Sequence, residues 1–268
     1  MPYLKQNGVK IYYEVHGTGP VLLLSHGFAA TSQMWQPQIE ALSRSHTLIL
    51  WDMRGHGQSD SPDAPGLYSE ALCIDDMQAL LDTAGADQAI IGGLSLGGYL
   101  SLGFYRCHPE RCRALLLFDT GPGYRSDTAR SGWNRFAERQ AEKYLKRGLA
   151  ALSGSDEVSQ AQHQSANGLA LAARGILTQQ TAQVIDSLPA IEVPTLLLVG
   201  AQDEPYLAAT EYMHRKISGS QKVILENAGH ASNLHQPDAF NRAVLTFLES
   251  AASSTRPGGP GETGTRRV

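Results

Sequence analysis

The chain has 268 residues, 42% of them hydrophobic and 18% charged, with a formal net charge of −4 and a sequence pI near 6.1. That length and apolar content suffice for a sizeable core, and single α/β domains often reach this size. The weakly acidic balance excludes the strongly basic face of a nucleic-acid binder, and no apolar run approaches the roughly 20 residues of a membrane span. Residues 1–7 contain no apolar stretch of signal-peptide length, so the expected compartment is the cytoplasm. Cys73, Cys107 and Cys112 are odd in number and show no C-x-x-C spacing, and they read as reduced thiols.

In chain order, Val9–Val15, Val21–Leu24 and His46–Trp51 read as strands, and Tyr68–Ala84 as a helix ending before a C′ glycine, Gly85. Ala89–Ile91 is the next strand, Tyr99–Cys107 a helix after a glycine pair, and Ala114–Phe118 a further strand. Residues 126–188 break this rhythm. They contain no strand-like run, are rich in Ala, Arg, Gln and Glu, and read as an all-helical insertion whose most apolar part is Leu169–Leu177. Thr195–Val199 and Lys222–Leu225 resume the strands. Pro237–Ser250 closes the pattern as a helix with Phe240, Val244, Phe247 and Leu248 on one stripe. From the second onward the strands are mostly continuously apolar and bounded by Gly, Pro or Asp, as in a parallel sheet covered on both faces. The expected organisation is a core of residues 1–125 and 189–250, a helical insertion at 126–188 and a disordered tail at 251–268, which has almost no apolar residues.

Gly93-Leu94-Ser95-Leu96-Gly97 stands directly after a strand and before a helix. A serine in so tight a turn is lifted above the sheet edge, and glycines two positions to either side avoid collision. A serine hydroxyl needs an adjacent base to become nucleophilic. The expected chain order is Ser, acid, His. Of the nine histidines, His230 in Asn227-Ala228-Gly229-His230 lies in the loop between the last strand and the last helix and is the expected base; His235 is the second choice. Asp203, in the loop after Thr195–Val199, is the expected acid, with Asp119 at the end of the preceding strand as its rival. An oxyanion site needs two backbone donors. The amide of Leu96 and that of Phe28, in the turn Ser25-His26-Gly27-Phe28, are the candidates; His26 reads as a brace of that turn.

VLLLSHGF, WDMRGHGQSD, GLSLGG, GAQDEP and NAGHASNLHQP together resemble the α/β-hydrolase superfamily, in the branch of enol-lactonases, small esterases and ring-fission-product hydrolases. The resemblance spans about residues 8–250 apart from the insertion. It implies a mostly parallel eight-stranded sheet flanked by helices, with 126–188 as a helical lid. It also implies Ser95, Asp203 and His230 as a catalytic triad, Phe28 and Leu96 as oxyanion donors, and neither metal nor organic cofactor. The implied activity is hydrolysis of a small-molecule ester or lactone. Carbon–carbon bond hydrolysis of a dienoate, cofactor-free oxygenation or perhydrolysis, and a ligand receptor use the same scaffold, and a homodimer is left open. Arg125, Arg130, Arg135, Arg139, Lys143, Lys146 and Arg147 raise two alternatives. Either they form a solvated face with Arg135–Glu138 and Arg139–Glu142 pairs, or one of them, Arg125 above all, holds a substrate carboxylate through a bidentate fork.

Overall fold

The computed structural model describes residues 2–152 and 154–254. Its frame is one eight-stranded sheet. β1 (Tyr3–Gln6), β2 (Val9–His16), β3 (Val21–Ser25), β4 (Thr47–Trp51), β5 (Ala89–Leu94), β6 (Cys112–Phe118), β7 (Thr195–Gly200) and β8 (Gln221–Leu225) lie in the order β1-β2-β4-β3-β5-β6-β7-β8. β1 and β2 run antiparallel, as do β2 and β4; every other pairing is parallel. This is the mostly parallel α/β arrangement expected. β1 escaped the sequence reading because its four residues, YLKQ, form a half-exposed edge with no apolar run.

The continuously apolar strands feed two cores, because successive side chains point to opposite faces. Leu23, Ile49, Ile91, Leu115 and Leu197 pack on one face with α2 (Glu70–Thr83) and α3 (Leu96–Cys107). Leu22, Leu24, Leu48, Leu50, Leu116 and Leu198 pack on the other with α1 (Gln36–Ser43) and α10 (Pro237–Ser254). α10 runs through Ser254, past the boundary expected at 250, and the rest of the expected tail, 255–268, lies outside the described residues. Between β6 and β7 stand α4 (Asp127–Arg147), α5 (Asp156–Ser159), α6 (Ala166–Gly175) and α7 (Gln183–Ser187), with no strand among the described residues. α4 and α6 pack through Ala141, Tyr144, Leu169, Ala170 and Ala173, and this cluster reaches Ala29 in the loop after β3. α8 (Glu204–Lys216) and the short α9 (Ser232–His235) complete the chain. No described helix is long and apolar enough to cross a membrane.

Candidate active site

The loops that leave the carboxyl ends of the parallel strands converge, and their backbones are bent. Ala29, Ser95, Asp119 and Asn227, which follow β3, β5, β6 and β8, have positive φ of 60°, 56°, 44° and 58°. For residues other than Gly and Asn such a conformation costs about 1–3 kcal/mol and persists only where surrounding contacts enforce it. At Ser95 the contacts are plain. A Cβ on Gly93 would stand 2.5 Å from the Gly97 carbonyl carbon, and one on Gly97 2.2 Å from the Ser25 carbonyl oxygen. Only glycine fits at either flank. The Ser95 N–H donates to the Phe118 carbonyl at 3.0 Å, and the Thr120 hydroxyl donates to the Ser95 carbonyl at 2.6 Å.

The loop after β3 passes beside the serine: a Cβ on Gly27 would lie 3.5 Å from the Ser95 Cβ. Among the described residues, the backbone N–H groups of Phe28 and Leu96 have no acceptor within the chain. His26 braces this loop, as its sequence position suggested. It is buried, its Nδ1 pairs with the Gly27 carbonyl at 2.7 Å, and its Nε2 accepts the Met53 N–H at 2.9 Å. That pairing requires the neutral ring, and burial lowers its pKa to about 4. His163, from the 126–188 segment, does the same from above. Its Nδ1 accepts the Gly57 N–H and its Nε2 meets the Ala29 carbonyl, both at 2.9 Å, and burial again pulls its pKa to about 4.

His230 and Asp203 come together. Nδ1 of the imidazole lies 2.8 Å from Oδ2 of the buried carboxylate. Two backbone bonds join the loops that carry them, Ala201 N–H to the Leu225 carbonyl at 2.9 Å and Gln202 N–H to the Ala228 carbonyl at 2.8 Å. Burial pulls the His230 pKa down. The Asp203 hydrogen bond and the charges of Asp203, Asp119 and Glu157 outweigh it, so the value stands above the ordinary one. Asp119, the rival acid, is engaged elsewhere. Its Oδ1 accepts the Gly200 N–H at 2.8 Å and its Oδ2 the Ser232 hydroxyl, which ties the ends of β6 and β7 to α9. Burial pushes its pKa up to about 7 against those two bonds. His235, the rival base, accepts the Gly229 N–H with Nδ1 at 2.9 Å and turns Nε2 to Asp156 of α5 at 3.2 Å.

A cavity of about 400 Å³ opens onto Ser95. Leu96, Tyr99, Tyr206 and Tyr212 line it from the core; Trp133, Leu177, Gln179 and Ile185 line it from the 126–188 segment. Among the described residues no charged side chain lines it. Arg125 is absent from that lining, and its side chain is 60% exposed, with Nε 2.7 Å from Asp186. Arg130 pairs with Asp127 and with the carbonyls of Tyr124 and Arg125. Glu138 pairs with Arg174 of α6 rather than with Arg135. Sequence reasoning missed Tyr206, whose ring stacks on His230 at 4.8 Å and 27°. The available signal was its place three residues after Asp203, one helical turn on. It also missed the buried fork in which Arg54 Nε and Nη2 meet both oxygens of Asp76 at 2.8 and 2.7 Å beneath the loop after β4. Among the described residues no group of three or more His, Cys, Asp and Glu is placed to hold a metal ion.

Residues 20–163 match the family model of the alpha/beta hydrolase fold. The chain belongs to that family. It is 30% identical over 260 residues to 3-oxoadipate enol-lactonase 2 of Acinetobacter baylyi, covering 92% of this chain and 96% of that protein. It is 28% identical over 249 residues to a carboxylesterase of Bacillus subtilis, covering 85% and 80%. Among solved structures, a thermophilic esterase from Thermogutta terrifontis superposes with a TM-score of 0.79 at 29% identity, over 93% of this α/β-hydrolase and 98% of that chain.

Proposed function

We propose that this α/β-hydrolase cleaves a small, uncharged carboxylic ester or lactone through an acyl-enzyme, with Ser95 as nucleophile, His230 as base and Asp203 as the acid that orients the base. The chain is an enzyme acting on ester bonds, as its enol-lactonase and carboxylesterase relatives are named to be. The residue assignment is supported by a cavity-lining serine on a positive-φ turn, by the loop after β3 that passes beside it, and by a hydrogen-bonded His230–Asp203 pair whose imidazole stacks on the cavity-lining Tyr206. His230 takes the Ser95 proton, and Oγ attacks the acyl carbonyl. The Phe28 and Leu96 amides receive the oxyanion, which a donor pair of this kind stabilises by about 3–4 kcal/mol per donor. His230 then protonates the leaving oxygen, and water, deprotonated by the same imidazole, releases the acid.

Residues 126–188 act as the lid of this site, and residues 1–125 and 189–250 form the core. The uncharged, aromatic lining of the cavity supports a neutral substrate over one that carries a carboxylate, because a buried carboxylate without a cation is strongly disfavoured. The test is a fluorophosphonate probe together with a panel of neutral esters, lactones and their carboxylate-bearing analogues. The probe is expected to label wild-type protein and not Ser95→Ala, and turnover is expected to favour the neutral members. Full labelling of folded Ser95→Ala would remove the serine assignment; preference for the acidic analogues would remove the neutral-substrate reading.

A further inference from the structure

Tyr206 is placed by the acid loop. Its N–H donates to the Asp203 carbonyl at 2.9 Å in the first turn of α8, so the tyrosine and the acid move as one unit. Its ring lies against the His230 imidazole, and the nearby Ser95 hydroxyl works against burial in setting the phenol's pKa. It also lines the cavity on which Ser95 opens. A single side chain thus stacks on the base and shares the cavity wall with the serine, the two groups between which a proton must pass. Stacking alone would be served by phenylalanine, so the hydroxyl is the part that needs a reason.

We propose that the Tyr206 phenol is a further catalytic residue, a neutral hydrogen-bond donor that holds the Ser95 hydroxyl before attack and then supports the leaving-group oxygen as its bond to the acyl carbon breaks. This rests on the ester-hydrolase reading above. Burial pushes the phenol up to about 12, so it keeps its proton at neutral pH and acts as a donor, never as a base. When the Oγ–C bond forms, the Oγ proton goes to His230, and Oγ becomes an ester oxygen, a poorer acceptor. The phenol then needs a new partner. The leaving oxygen must come within reach of His230 to collect that same proton, and the Tyr206 ring covers one face of the imidazole, which brings its hydroxyl to the same place. As the C–O bond breaks, its electron pair and the His230 proton go to the leaving oxygen. That oxygen departs as an alcohol or, from a lactone, becomes the hydroxyl of the opened chain; Tyr206 retains its proton throughout. The Phe28 and Leu96 amides serve the carbonyl oxygen, and the phenol serves the other oxygen of the ester.

The dependence on leaving group separates this role from packing. Tyr206→Phe keeps the ring on His230 and removes only the donor. kcat/KM is measured for wild type and variant on esters of one acyl group whose leaving groups run from p-nitrophenol to ethanol. A poor leaving group needs the donor, so the ethyl ester should lose about tenfold, the worth of one buried hydrogen bond. A p-nitrophenyl ester, whose oxygen leaves readily without help, should lose less than about threefold. A uniform loss along the series, or no loss at all, would overturn the donor role, and an unchanged melting temperature shows that the variant folds. If wild type hydrolysed none of the series, the ester reading would fall and this proposal with it, an outcome distinct from an active wild type with a flat variant ratio.

Discussion

At the carboxyl edge of the sheet Asp203, Asp119 and Asp52 are all buried. Asp203 meets His230, Asp119 ties β6 and β7 to α9, and Asp52 accepts the backbone N–H groups of Ser32 and Gln58 at 2.7 and 2.8 Å. In residues 126–188 two ion pairs lie at the surface, one of them reaching back to Arg125. Arg125 and Asp186 are 60% and 53% exposed at their side chains, and Arg174 and Glu138 are 41% and 45% exposed. The contribution of residues 126–188 to the cavity is instead uncharged, through Trp133, Leu177, Gln179 and Ile185. Two regions of one chain thus differ: the strand ends supply polar groups held by buried bonds, and residues 126–188 supply uncharged walls while their Arg125–Asp186 and Arg174–Glu138 pairs stay exposed. A charge is strong where solvent is excluded and weak where it is not, so equal-looking pairs in the two regions should differ greatly in effect.

The sharpest way to break this comparison is at the acid. Asp203→Asn should lose about 10³–10⁴-fold in kcat, the cost of a misoriented base, whereas Asp119→Asn, whose carboxyl bonds Gly200 and Ser232 rather than the imidazole, should lose far less. The reverse order would make Asp119 the acid. The pH profile adds a sign. His230 acts when neutral, so activity rises with pH through its pKa, which Asp203 holds above the ordinary value. Removing that charge should move the acidic limb of the residual activity to lower pH. An unmoved limb would mean that another group sets it.

Stability gives the next contrast. Arg54 and Asp76 are fully buried at their side chains. Truncating one partner strands the other, so Asp76→Ala should cost about 3–5 kcal/mol in urea unfolding. Arg174→Ala, at an exposed pair, should cost no more than about 1 kcal/mol. Comparable losses would show that the Arg174–Glu138 pair is as sheltered as the Arg54–Asp76 pair. The contribution of residues 126–188 should appear in binding. Trp133, whose indole N–H donates to the Leu177 carbonyl at 2.7 Å, forms a wall of the cavity. Trp133→Ala should raise KM for aromatic or long acyl esters by about tenfold through lost apolar contact, with kcat nearly unchanged; a fall in kcat alone would place the indole at the chemistry instead. The smallest effect is expected at Arg125→Met, less than about twofold on a neutral ester and on its carboxylate analogue alike. A selective loss on the acidic analogue would restore the carboxylate clamp.

Much of the site was legible because its parts are local. The Gly93–Gly97 spacing encodes a turn that sterics permit only with glycine at both flanks, and the expected helix Tyr68–Ala84 appears as Glu70–Thr83, its first turn capped by the Ser69 hydroxyl, which accepts the Leu72 N–H at 3.1 Å. Helices α1 and α8 went unread, because each buries only two residues fully, Gln38 and Leu42 in one and Thr210 and Met213 in the other, too few to print a stripe. Which carboxylate meets His230 could be ranked but not settled, since Asp119 and Asp203 both end strands.

The sequence by itself determined the mostly parallel sheet, the glycine-flanked turn at Ser95, and the helical character of residues 126–188, because apolar runs, turn glycines and helix formers act over a few residues. Only the tertiary structure decided which way the side chains of those elements face. It paired Arg125 with Asp186, took Glu138 to Arg174 thirty-six positions on rather than to Arg135 three positions back, and stacked Tyr206 on His230. These outcomes depend on contacts between segments distant along the chain, and a local pattern of charge carries no information about which partner the packed fold will bring within reach.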